Sequence, residues 1–120
     1  MKNLIKYTFQ YPPYEVILSK TFDLPFTPFI GLKIIDRVEH NQVVIDIRNY
    51  KDRYCDFAFD VARKMYIVDI DQTFKSRDYQ QLSVEVEKLR QNKWGIESSS
   101  QSMNVSDLCD LMKKHNEVGI

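Results

Sequence analysis

Five aspartates carry the sharpest chemistry in this 120-residue sequence. Asp46, Asp56, Asp60, Asp69 and Asp71 fall on the polar sides of consecutive alternating segments. Gathered on one face, such carboxylates suit Mg²⁺ or Mn²⁺ and metal-assisted phosphodiester hydrolysis. Like charges directly opposite one another in a sheet are destabilising. Arg48, Arg63 and Lys64, open solvent or a bound cation would have to offset them. The competing reading is an ordinary solvated sheet face of mixed charge, and it is preferred here.

The other reactive residues lack the spacing that chemistry needs. Cys55 shares an apolar side with Phe57 and Phe59, where a thiol behaves as a small hydrophobe with a raised pKa. His40 belongs to a turn and His115 to the tail, so neither is set to activate Cys55 or Cys109 or to join them in a zinc site. Gly31, Gly95 and Gly119 are isolated, which excludes phosphate loops and dinucleotide fingerprints. No serine nucleophile elbow is present.

Two sets of residues read as binding candidates. Tyr7, Phe9, Tyr11 and Tyr14 surround Pro12-Pro13 and would make an aromatic platform, unless they close the core. Leu108, Leu111 and Met112 form the apolar side of a short helix behind a serine-rich stretch. Such a tethered helix suits a groove on a partner or a sister subunit.

The elements that must position these residues follow from periodicity. Residues 4–11 alternate, with Ile5, Tyr7, Phe9 and Tyr11 on one side, and the proline pair ends the run. Strand character resumes at Tyr14 and runs toward Phe22. Two prolines and a glycine in residues 24–31 predict a buried bend closed by Gly31. Residues 32–38 and 43–48 predict a hairpin around Glu39-His40-Asn41-Gln42. A second hairpin joins residues 54–61, with Cys55, Phe57, Phe59 and Val61 inward, to residues 65–70 through Arg63-Lys64. Short connections favour antiparallel neighbours.

Beyond Asp71 the period changes to that of a helix. Ser76 is the expected N-cap, Tyr79, Leu82, Val86 and Leu89 make one stripe, and Gly95 is the expected stop. Residues 98–102 read as a linker, followed by the short helix capped by Asn104 or Ser106.

Composition bounds the remaining choices. The apolar share is 43% and the charged share 28%, a globular balance with enough apolar side chain for one core. Seventeen basic residues meet seventeen acidic ones, and each half of the chain is balanced as well, which argues against a nucleic-acid partner. Lys6, Gln10, Pro12, Pro13 and Glu15 break any signal-peptide core, and no run approaches a membrane span. The expected setting is the cytoplasm, with both cysteines reduced.

The run Phe22-Asp23-Leu24-Pro25-Phe26-Thr27-Pro28-Phe29-Ile30-Gly31 resembles a Phe-x-Leu-Pro-Phe-x-Pro-x-x-Gly pattern of short bacterial β-rich proteins of uncharacterised function. The resemblance implies a β-rich fold and carries no site.

The sequence therefore predicts an α+β fold. An antiparallel sheet of five to six strands, open or partly closed into a barrel, precedes one long amphipathic helix and a short C-terminal helix. Residues 1–97 would form the domain and 98–120 the linker and helix. The expected function is a non-enzymatic protein-interaction or oligomerisation module without cofactor, its partner another protein or itself. The alternative is the metal-dependent hydrolase built on the aspartates.

Overall fold

A computed structural model describes residues 2–12 and 14–99, together with Asp110 and Lys114, with only the backbone described for 97–99. Leu108, Leu111 and Met112 lie outside the described residues, as does the rest of the expected C-terminal helix apart from Asp110 and Lys114, whose backbone is helical.

The elements of the described residues run as β1 (Lys2–Tyr11), β2 (Tyr14–Asp23), β3 (Lys33–Val38), β4 (Asn41–Asp46), β5 (Arg53–Asp60), β6 (Met65–Thr73), α1 (Tyr79–Gln91) and β7 (Gly95–Ser99). Five of them form an open sheet in the order β5-β6-β1-β2-β7, while β3 and β4 form a separate two-stranded sheet. Alternation does make the strands, but the sheet is mixed rather than antiparallel, because β1 pairs parallel with β6. The β5–β6 hairpin docks as a unit against the β1–β2 hairpin, and its inner strand happens to run in the direction of β1. Among the described residues β5 and β7 remain as edges and no barrel closes.

The core lies on one face of the five-stranded sheet. Ile5, Tyr7, Phe9 and Tyr11 of β1, Val16 and Leu18 of β2 and Val68 and Ile70 of β6 all point there. The stripe Tyr79, Leu82, Val86 and Leu89 covers them, as the period predicted, and Ile45, Ile47 and Trp94 complete the cover. A helix of 13 residues is marginal alone, so this burial holds it: each fully buried Leu or Val is worth about 1.5–3 kcal/mol. Among the described residues no helix is long and apolar enough to cross a membrane.

Several local expectations are corrected. Ser76 does not cap α1. It opens a 3-10 turn, Ser76–Asp78, and its carbonyl accepts the Tyr11 hydroxyl at 2.9 Å. Gly95 does not stop the helix. Lys93 takes the left-handed conformation (φ 65°), donating to the Arg90 carbonyl while Trp94 donates to that of Leu89, both at 3.0 Å. Those are the two bonds of a Schellman cap, with lysine where glycine is usual. Ser98 and Ser99, read as the start of a linker, belong to β7 and pair with β2. The β3–β4 turn needs only Glu39 and His40, because Glu39 accepts φ 55°. Residues 24–32 are a surface loop rather than a buried bend, with Phe26, Phe29 and Ile30 exposed and Gly31 at φ 100°.

That loop carries the chain out of the sheet and over its core face, where a buried carboxylate fixes the β3–β4 sheet. Asp36 accepts Lys20 Nζ at 3.0 Å on both oxygens and Trp94 Nε1 at 3.0 Å. Its carbonyl accepts Asn92 Nδ2 at 2.7 Å, and Lys20 also donates to the Asn92 carbonyl at 2.8 Å. One residue of β3 thus ties together β2, the end of α1 and the approach to β7.

Asp36→Asn should lower the unfolding free energy by about 2–3 kcal/mol, since it strands Lys20 part-buried without its counter-ion. Lys20→Met in the same chain should recover part of that loss, and urea unfolding of the four-member cycle measures the coupling. Lys93→Gly should stabilise by about 0.5–1 kcal/mol, seen as a rise of a few degrees in Tm, because glycine tolerates the left-handed cap.

Candidate interaction surface

The aromatic N-terminus is core rather than platform. Phe9 and Tyr11 are each 1% exposed and Tyr7 is 7% exposed, while only Tyr14 is half-buried. Tyr7 stacks on Phe9 with ring centroids 5.4 Å apart and meets Trp94 at the same distance. Burial pushes the Tyr7 phenol well above its ordinary range, against the opposing pull of the Arg53 charge. The alternation that made these residues look presentable instead turns them all toward α1.

The five aspartates divide. Asp46 lies on β4, in the other sheet, where Arg48 donates to it at 2.6 and 2.9 Å and the Tyr50 hydroxyl at 3.0 Å. The Arg48 bonds hold its carboxyl below the usual carboxylate range. Asp60 sits at the far end of β5, about 13 Å along the strand from Asp56, and pairs with Arg63 at 3.5 Å. Only Asp56, Asp69 and Asp71 meet on the outer face, with Asp56 directly opposite Asp69.

Neighbouring β1 supplies neutral donors to this trio. Thr8 Oγ1 donates to Asp69 at 2.8 Å, and Gln10 Nε2 reaches both Asp71 oxygens at 2.9 and 3.0 Å. Burial holds the Asp71 carboxyl above its usual range, the Gln10 bond pulls it back, and the Asp69 and Asp56 charges push it up again. Among the described residues no group of three or more His, Cys, Asp or Glu side chains is arranged to hold a metal ion.

The free edge of β5 has a different character. On an edge strand, alternate residues point their N–H and C=O groups away from the sheet. In β5 these are the odd-numbered residues, since the Arg53 and Cys55 amides face away from β6. The chain covers the first of them itself. Tyr50 and Arg53 exchange backbone bonds of 2.9 and 3.3 Å, and the Cys55 amide donates to Asn49 Oδ1 at 2.8 Å. The Cys55 thiol donates to the Arg48 carbonyl at 3.4 Å, and burial raises its pKa, leaving it a poor nucleophile. Arg48 and Arg53 both lie over the Tyr50 ring, at 5.3 and 5.6 Å, and Arg53 also donates to the Asp46 carbonyl, so residues 48–53 form a firm clip.

Beyond the clip the edge is bare. Among the described residues nothing bonds the outward groups of Phe57 and Phe59. Their side chains were expected inward with Cys55 and Val61. They do lie on the core-facing side, but Phe57 is 42% exposed, Phe59 50% and Val61 77%. The helix and the β3–β4 sheet stop short of this end of β5, leaving Phe59 only a 4.9 Å edge contact with Tyr66. Alternation signals which side a residue faces and not whether anything covers it.

Fold and surface together define a small mixed α+β domain with an open sheet and an apolar, unpaired edge. No protein family, curated protein or solved structure matches the chain.

Asp71→Asn should raise the unfolding free energy at neutral pH by a few tenths to about 1 kcal/mol, because it removes a like charge beside Asp69 while keeping an acceptor for Gln10. A folded-state pKa above the ordinary aspartate value means the wild-type penalty exists at neutral pH and disappears as the carboxyl protonates. Urea unfolding should therefore show the advantage of the variant shrinking as pH falls through the folded-state pKa.

Proposed function

We propose that the chain is a non-enzymatic protein-interaction or oligomerisation module, operating in the cytoplasm, that engages its partner through the bare half of β5. One observation carries this reading: Phe57, Phe59 and Val61 stand exposed beside unpaired backbone donors and acceptors on a sheet edge. Natural edges are usually blunted by charge, proline, bulges or a covering segment. The first half of β5 is covered in that manner by the 48–53 clip, and the second half is not.

The energetic incentive is substantial. Two half-exposed phenylalanines leave on the order of 200 Å² of apolar surface in water, worth about 5 kcal/mol if covered. An added strand would supply main-chain bonds as well, which is how sheet-edge recognition gains affinity while side chains supply choice. Among the described residues no group of three or more His, Cys, Asp or Glu side chains is arranged to hold a metal ion, which favours the interaction reading over the hydrolase one.

A Phe57→Lys, Phe59→Lys double variant tests the assignment. It should keep its thermal unfolding midpoint within a few degrees of wild type, because surface replacements outside a packed core cost little. It should also lose any association the wild-type chain shows in sedimentation, alone or mixed with soluble cell extract. Loss of the fold would mean that the two rings are structural, and association equal to wild type would mean that the edge is not the contact surface.

A further inference from the structure

We infer that the occupant of this edge is a second copy of the chain, joined antiparallel through β5 about a two-fold axis at Phe59. The inference rests on the reading of β5 as the contact surface and names what binds there.

Register decides the geometry. In a two-fold antiparallel pair whose axis is normal to the sheet, residues that face each other share a side, so the axis must pass through a residue. An axis at Phe57 would set Cys55 opposite Phe59 of the second copy, and the Cys55 amide is already held by Asn49 at 2.8 Å. An axis at Ala58 would set Asp56 opposite Asp60 of the second copy, twice over, and like charges directly opposite are unfavourable. An axis at Phe59 avoids both problems. Phe59 then faces its own counterpart, Ala58 faces Asp60, and Phe57 comes opposite Val61, the first residue of the second copy's turn. No carboxylates oppose one another, and the clip stays intact.

This register uses the part of the edge that lies bare. Residues 57–61 hold the outward backbone groups beyond the clip, and Val61 opens the turn into β6, which ends the ladder. The side chains brought together are the three exposed apolar ones, with 42%, 50% and 77% exposure in the single chain. Asp60 is paired with Arg63 at 3.5 Å and so meets the second copy partly neutralised. Equal numbers of acidic and basic residues, 17 of each, mean that two copies carry no long-range repulsion. The two five-stranded sheets would join as one.

The test uses the full chain. Sedimentation from low micromolar to near-millimolar concentration should show the mass doubling, and amide exchange at Phe57 and Phe59 should slow about tenfold or more over the same range. Phe59→Lys and Phe59→Asp should each be monomeric, with thermal midpoints close to that of the dilute wild type. Mixing those two variants should restore dimer, because residue 59 faces its own counterpart and the mixture sets Lys against Asp. A wild-type chain that stays monomeric with fast exchange at Phe57 and Phe59 overturns self-pairing. If the Phe57→Lys, Phe59→Lys chain then also fails to lose contact with another protein, the interaction reading falls separately. Dimer in which those amides still exchange fast, or variants that do not recombine when mixed, overturn the Phe59 axis.

Discussion

The β3–β4 sheet is aligned on the rest of the molecule by a buried carboxylate. Among the described residues no strand ladder joins that sheet to the five-stranded one, so its place depends on the packing of Ile45 and Ile47, on the bond from Arg53 to the Asp46 carbonyl and on Asp36. Apolar burial is non-directional and sets position through packing alone. Asp36 adds direction, because Lys20, Trp94 and Asn92 each approach it from a different element along a fixed direction. A buried ion pair of this kind adds little net stability over an apolar substitute but penalises every misplacement that would leave a charge unpaired. The position of the hairpin then decides how far the core face is covered, and so which end of β5 is left open.

The two faces of the main sheet divide their work accordingly. The inner face spends its aromatics on packing, with Tyr7, Phe9, Phe74 and Trp94 in mutual ring contact around α1. The outer face carries carboxylates that accept bonds from Thr8 and Gln10 of the neighbouring strand, with Lys6 opposite Asp69 in the β1–β6 register. Among the described residues neither face gathers three His, Cys, Asp or Glu side chains to hold a metal ion, and the far end of β5 leaves Phe57 and Phe59 open to solvent.

Much of the architecture was legible in the sequence. Alternation marked β1, β2, β5 and β6, and the spacing of Tyr79, Leu82, Val86 and Leu89 marked the buried side of α1. What escaped was whatever depends on partners distant in the chain. The parallel pairing of β1 with β6 leaves no local trace, since a strand alternates alike beside either neighbour. Asp36 looked like any polar residue in a hairpin, because its three donors come from elsewhere in the chain. Phe57 and Phe59 read as core by pattern, and only the reach of α1 and the hairpin shows them uncovered. The one signal for the cap at Lys93 was a helical repeat that stops shortly before Trp94, which has to turn back into the core.

Placing β1 at the centre of the sheet also sets an order of events during synthesis. The Thr8–Asp69 bond spans 61 residues, so β1 leaves the ribosome long before its parallel neighbour exists. At about 5–20 residues per second the gap lasts roughly 3–12 s, during which the β1–β2 hairpin shows a row of aromatics and an unpaired side. Closing so long a loop is entropically slow, and strands that pair across it form late. Pro12, directly after the last residue of β1, and the early return through β2 give the nascent chain a local structure to hold until β6 arrives.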